Sequence, residues 1–174
     1  MTTKTFINSF LGASTLGFLL LSFSSCVLAT TPWQGMSDEA WFEQFAGLAD
    51  CPCSLEGLEA LSDETGYWQP VQEANEHYHP GAIWEIRWVN LQGANGQQCT
   101  YDAEKQLITH GAGAGTPDIV SPSDPLKIAQ HWWYDVRPFE ELPLEVYIER
   151  WPPNQGRSAE GEVCPYNPPL IEGE

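Results

Sequence analysis

Positive charge is what this sequence has least of. Only 7 Lys and Arg stand against 24 Asp and Glu, a formal charge of −17 over 174 residues. That balance excludes nucleic acid as a partner, because binding to a phosphate backbone rests on cations that neutralise it. An anionic membrane surface would repel the chain too, and the acidity by itself calls for nothing beyond solubility. Long apolar runs are also missing. The one such stretch, Leu16 to Phe23, follows the single early cation Lys4 and is too short to span a bilayer. It reads as the core of an export signal over residues 1–29, cleaved after Ala29 in Val27-Leu28-Ala29. Phe23-Ser24-Ser25-Cys26 is an imperfect lipobox, so the competing expectation is a lipoprotein signal ending before Cys26. Either way the protein is expected outside the cytoplasm, secreted or associated with the cell envelope, and touches a membrane only through a lipid on Cys26. No repeat or heptad appears, and the 174 residues less a signal leave enough chain for one core of ordinary domain size.

Cysteine is sparse but even. Of five, Cys26 falls in the signal and leaves Cys51, Cys53, Cys99 and Cys164, which in an oxidising compartment predicts two disulfides. Cys51 and Cys53 are too close in sequence to bridge without strain, so each is expected to reach a distant partner, at least one bridge tying the Cys-Pro-Cys turn to the sheet or the tail.

The patterning predicts an α+β domain, a small antiparallel β-meander packed with short helices and joined by long loops. Ser37-Asp38-Glu39 starts a helix over about 37–49 with Trp41, Phe42, Phe45 and Leu48 on one face, and Ser54 starts a second with Leu55, Leu58 and Leu61. From Ala82 to Leu91 the period becomes two, placing Trp84, Ile86 and Trp88 on one face and Glu85, Arg87 and Val89 on the other. Turn residues at 93–96 and 102–105 then set off strands at Gln97–Tyr101 and Gln106–Thr109. Asp124 before Pro125 caps a third helix that Pro138 is expected to stop, and Leu144, Val146 and Ile148 alternate as a closing strand. Beyond Pro152 the composition is that of a tail, 152–174, rich in Pro, Gly and Glu.

Chemistry is weakly marked. The run Thr109 to Asp118, THGAGAGTPD, has a strand before it but no helix after it and no Lys-Ser/Thr pair, so it fails as a phosphate cradle; alternate glycines instead allow positive φ and close backbone approach. His77 and His79 would project to one side of an extended segment, and with His110 they would form the site of a metal-dependent secreted hydrolase, Asp118 serving as base. No further local signature supports that set, and Pro80-Gly81 explains the segment as a turn. His131 and Asp135 have the spacing of an oriented imidazole but also of an ordinary helix-surface pair, and no nucleophile elbow accompanies them.

The ordered blocks CPCSLEGLEALSDETGYWQP, YHPGAI, GQQCTYD, GAGAGTPD and HWWYDVRPF resemble the AMOP domain, an adhesion-associated extracellular module. The resemblance runs from about Trp41 to Phe139 and sets the domain at 33–151. It departs from the family in having Thr100 beside Cys99 where the family pairs two cysteines, and in lacking cysteines after the HPGA and D-V-x-P blocks. Aromatic bulk can replace covalent ties there. The resemblance implies noncatalytic adhesion or binding to an extracellular or cell-surface protein or glycan, with no cofactor. It also makes the glycine run a family loop, and the expected binding face comprises Gly111, Gly113, Gly115, Thr116 and Asp118 with the aromatics Tyr78 and Trp132.

Overall fold

The structure, a computed structural model, describes residues 35–60 and 65–169; the expected export signal, Cys26 and Leu61 lie outside them. Helix α1 (Asp38–Phe42) starts where the sequence places it, with the Ser37 hydroxyl accepting from Ala40 N–H. It is shorter than expected. A 3-10 turn follows at Glu43–Phe45, and Gly47 at φ +77° takes the chain out of helix. Trp41 and Phe45 still meet on one face at 5.7 Å, while Phe42 stays exposed. The second expected helix is a 3-10 turn, Leu55–Ala60, with Leu55 and Leu58 packed on the core.

The sheet is antiparallel throughout. Strands β1 (Gly66–Trp68) and β2 (Gln72–Glu73) pair with the two ends of β3 (Trp84–Asn90) along one edge. Pro70 lies in the gap between them, where a residue with no N–H cannot continue the ladder. On the other side β3 pairs with β4 (Gly96–Tyr101), which pairs with the two-residue β5 (Pro117–Asp118). The expected third strand, Gln106–Thr109, contributes only isolated bridges, Tyr101 to Leu107 and Ser54 to Gln106. Its ladder is cut short because Leu107 N–H turns to the Cys53 carbonyl and Thr109 N–H to the Asn167 carbonyl.

Register separates the sheet's two faces. Ile86 opposite Cys99, and Trp84 opposite Tyr101, face an apolar core with Cys51, Leu107 and Cys164. Both disulfides stand there. Cys51 joins Cys99 in the middle of β4 and Cys53 joins Cys164, so the Cys-Pro-Cys turn is tied to the sheet and to the C-terminal segment at once. The opposite face is covered as well, since all six residues of β4 are buried.

Its cover is helical. Asp124 caps α2 (Pro125–His131) by accepting from Leu126 and Lys127 N–H, with Pro125 in the first turn as expected. Pro138 does not stop the helix. A π turn, Trp132–Val136, widens the spiral and runs directly into α3 (Arg137–Glu141), so that the proline is taken up near the start of a new turn. The closing strand is in fact a helix, α4 (Leu144–Arg150). The alternation of Leu144, Val146 and Ile148 is incidental, and the spacing that decides is Leu144, Tyr147, Ile148, Trp151, one helical face. Tyr147 and Trp151 stack 5.0 Å apart, and Trp151 meets Trp41 edge-on at 4.8 Å, locking α4 to α1 in a second apolar cluster.

Candidate functional site

The covered polar face of the sheet opens on a cavity of about 320 Å³. Its floor comes from the alternate residues of the two central strands, Glu85 and Arg87 on β3 and Gln98 on β4. Its walls are Val136 and Phe139 on the π turn and α3, Leu144, Tyr147 and Ile148 on α4, and Tyr78 with His79 before β3. The remaining side is the glycine loop, through Gly111, Ala112, Ala114 and Thr116.

Charged side chains are buried around this space. Arg87, its side chain 11% exposed, donates to Asp118 Oδ2 and lies 3.8 Å from Glu85 Oε1. Glu85 also accepts from Gln98 Nε2 at 2.9 Å and from Gln72 Nε2. Asp135 is the most heavily hydrogen-bonded group: Oδ1 accepts from Ile119 N–H and Trp151 Nε1, and Oδ2 from Val120 N–H and His131 Nδ1. The π turn carries this aspartate, at 3% exposure, onto the Ile119–Val120 backbone just after β5. Burial pushes the Asp135 carboxyl above its ordinary range, against the His131 bond that lowers it.

The two cavity histidines are shifted in opposite directions. Burial works against a charged His131, but Asp118 and Asp135 outweigh it and raise its affinity for a proton. Its Nδ1 lies 2.9 Å from the Val120 carbonyl, so that nitrogen carries hydrogen. His79, 8% exposed, goes the other way: burial lowers its pKa to about 4, with Glu85 opposing and Arg87 assisting. His79 Nδ1 has no hydrogen-bond partner among the described residues.

Four residues of the expected binding face line the cavity, Tyr78, Gly111, Thr116 and Asp118, as do His79, His131 and Asp135. Gly113 and Gly115 shape it from behind. A Cβ on Gly113 would fall 2.5 Å from the Pro80 carbonyl oxygen, and one on Gly115 would fall 3.0 Å from Cys99 Cα and closer still to the Gln98 carbonyl. The run is thus a loop laid on β4, held by Thr100 Oγ1 donating to the Gly113 carbonyl. Trp132 is 47% exposed and lies outside the cavity lining, tilted against Trp133.

The three histidines weighed as metal ligands are dispersed in their contacts. His77 is exposed against the Tyr78 ring, His79 lines the cavity, and His110 packs on Tyr166 with Nδ1 2.8 Å from Thr109 Oγ1. Among the described residues the ligand atoms that do converge belong to Asp118, His131 and Asp135, within 4.8 Å of one another. That group is better described as an ion-pair network, because Nδ1 of His131 is protonated, Arg87 already holds Asp118, and Asp135 is filled by N–H donors. His131 and Asp135 are therefore a buried pair rather than a helix-surface one. Glu85, Arg87 and Gln98 escape a sequence reading that treats alternate strand positions as a solvent face. The available signal was a Gln-Gln pair inside a strand otherwise destined for burial.

No solved structure matches this fold. Residues 29–160 match the family model of the AMOP domain, which takes in β1 to β5, all of the cavity and its helical cover. The chain belongs to the AMOP domain family, an extracellular, adhesion-associated module here tied by two disulfides.

Proposed function

We propose that this protein is an exported, noncatalytic binding module that serves cell-surface adhesion or captures an extracellular protein or glycan, and that its ligand enters the cavity between the sheet and α4. The observation that carries this reading is the cavity itself, apolar in its walls and charged in its floor, the makeup of a ligand site. Tyr78, Gly111, Thr116 and Asp118 act as its binding residues, with Gly113 and Gly115 as the loop's scaffold and Trp132 as a contact on the adjoining surface. The His131 imidazole touches a carboxylate and a carbonyl, and no hydroxyl or thiol reaches it among the described residues, which favours binding over turnover. Export depends on residues 1–29, or on lipid attachment at Cys26, and the domain proper extends over 33–151 with 152–174 as its tail.

The test is capture from the protein's own envelope and medium by the mature chain, beside Leu144→Trp and Leu126→Trp. Leu144 lines the cavity at 40% exposure, so a larger ring there fills the mouth without disturbing the core; Leu126 is 76% exposed and lies outside the lining. Leu144→Trp is expected to lose capture and Leu126→Trp to keep it. Equal capture by both would remove the cavity from the binding function.

A further inference from the structure

The cavity's charges do not balance among the described residues. Glu85, Asp118 and Asp135 are 5%, 2% and 3% exposed, and among the described residues the one fixed cation beside them is Arg87. With all three carboxylates ionised, a protonated His131 adds a second positive charge and still leaves one carboxylate in excess. Buried carboxylates are costly unless paired.

The polar floor is otherwise committed: Gln98 spends its Nε2 on Glu85. On the adjoining wall His79 Nδ1 has no hydrogen-bond partner among the described residues. An anion would not supply the positive charge the floor lacks.

Resting on the cavity being the binding site, we propose that its ligand is an organic cation, an ammonium or guanidinium head on an apolar stem, the chemistry of a lysine or arginine side chain. The head sits toward Asp118 and Glu85, and the stem lies along Phe139, Leu144 and Ile148, as long basic side chains lie on apolar surface. The faces of Tyr78 and Phe139, edge-on to each other at 5.6 Å, add cation–π attraction. A volume of about 320 Å³ is at the small end of ligand pockets, a match for one side chain and not for a folded segment.

The experiment titrates the mature, disulfide-intact protein with blocked arginine and lysine (N-acetyl, C-methylamide), with blocked citrulline as neutral isostere and with blocked glutamate, following ¹⁵N shifts. Agmatine is added to separate a free amine from a side chain in a polypeptide. The cations are expected to bind about tenfold or more tightly than citrulline, a difference of one charge-assisted contact, and Leu144→Trp is expected to abolish binding. Tighter binding of blocked arginine than agmatine assigns the head to a partner protein; the reverse assigns it to a free amine. Citrulline binding as well as arginine, a preference for glutamate, cation binding unchanged in Leu144→Trp, or no binding of any probe overturns the inference. If macromolecular capture still depends on Leu144 in those cases, the cavity reading survives and only its ligand class falls.

Discussion

Acidification should unload stability through His79. Its folded pKa of about 4 lies below the ordinary 6.5, chiefly because burial disfavours the charged ring, with Arg87 adding repulsion and Glu85 and Asp118 partly offsetting it. A histidine depressed in this way binds its proton more readily when unfolded. Its contribution is therefore complete above pH 6.5 and is lost as pH falls toward 4. At about 1.4 kcal/mol per pH unit the whole loss is about 3 kcal/mol, of which about 2 kcal/mol is gone by pH 5. Urea unfolding of the oxidised protein and of His79→Gln between pH 7.5 and 5 measures it. Asp135 and His131 titrate in both proteins, so the difference between the two profiles isolates residue 79. The wild type is expected to lose about 2 kcal/mol relative to the variant over that range. A pH-independent difference would refute a neutral, buried His79.

Gly115→Ala should cost about 1 to 3 kcal/mol in equilibrium unfolding, because the added methyl meets the β4 backbone and not a movable side chain. Asp135→Asn should cost about 2 to 3 kcal/mol, since an amide cannot accept from Ile119 and Val120 N–H through both its terminal atoms. Removing the Cys53–Cys164 bridge as a double serine variant releases a separation of 111 residues, for which chain entropy gives about 4 to 5 kcal/mol, against about 4 kcal/mol for the 48 between Cys51 and Cys99. Chemical denaturation of each variant checks the order.

What the sequence made legible was set by local chemistry. The Ser37 and Asp124 caps, the alternation through Trp84 to Val89, and the glycine run as a close-packed loop all depend on a few neighbouring residues, and all are found. What it concealed depends on partners far along the chain. Leu144 to Glu149 alternates like a strand, and only Trp151 docking on Trp41, more than a hundred residues away, selects the helical face. The charged residues of β3 carry no local sign of burial, because the helices and loop that roof them, Gly111 to Ile148, have yet to be reached. The same distance kept His131 and Asp135 in the guise of a surface pair until Ile119, Val120 and Trp151 closed around the carboxylate.

The measurement that bears most directly on the cavity as binding site is hydroxyl-radical footprinting of the protein in complex with whatever it captures, read by mass spectrometry. Protection at Tyr78, Phe139, Leu144 and Ile148, with Leu126 and Ile128 unprotected, is the predicted footprint. Protection confined to Leu126, Ile128 and Trp132, with the cavity residues as reactive as in the free protein, would contradict it.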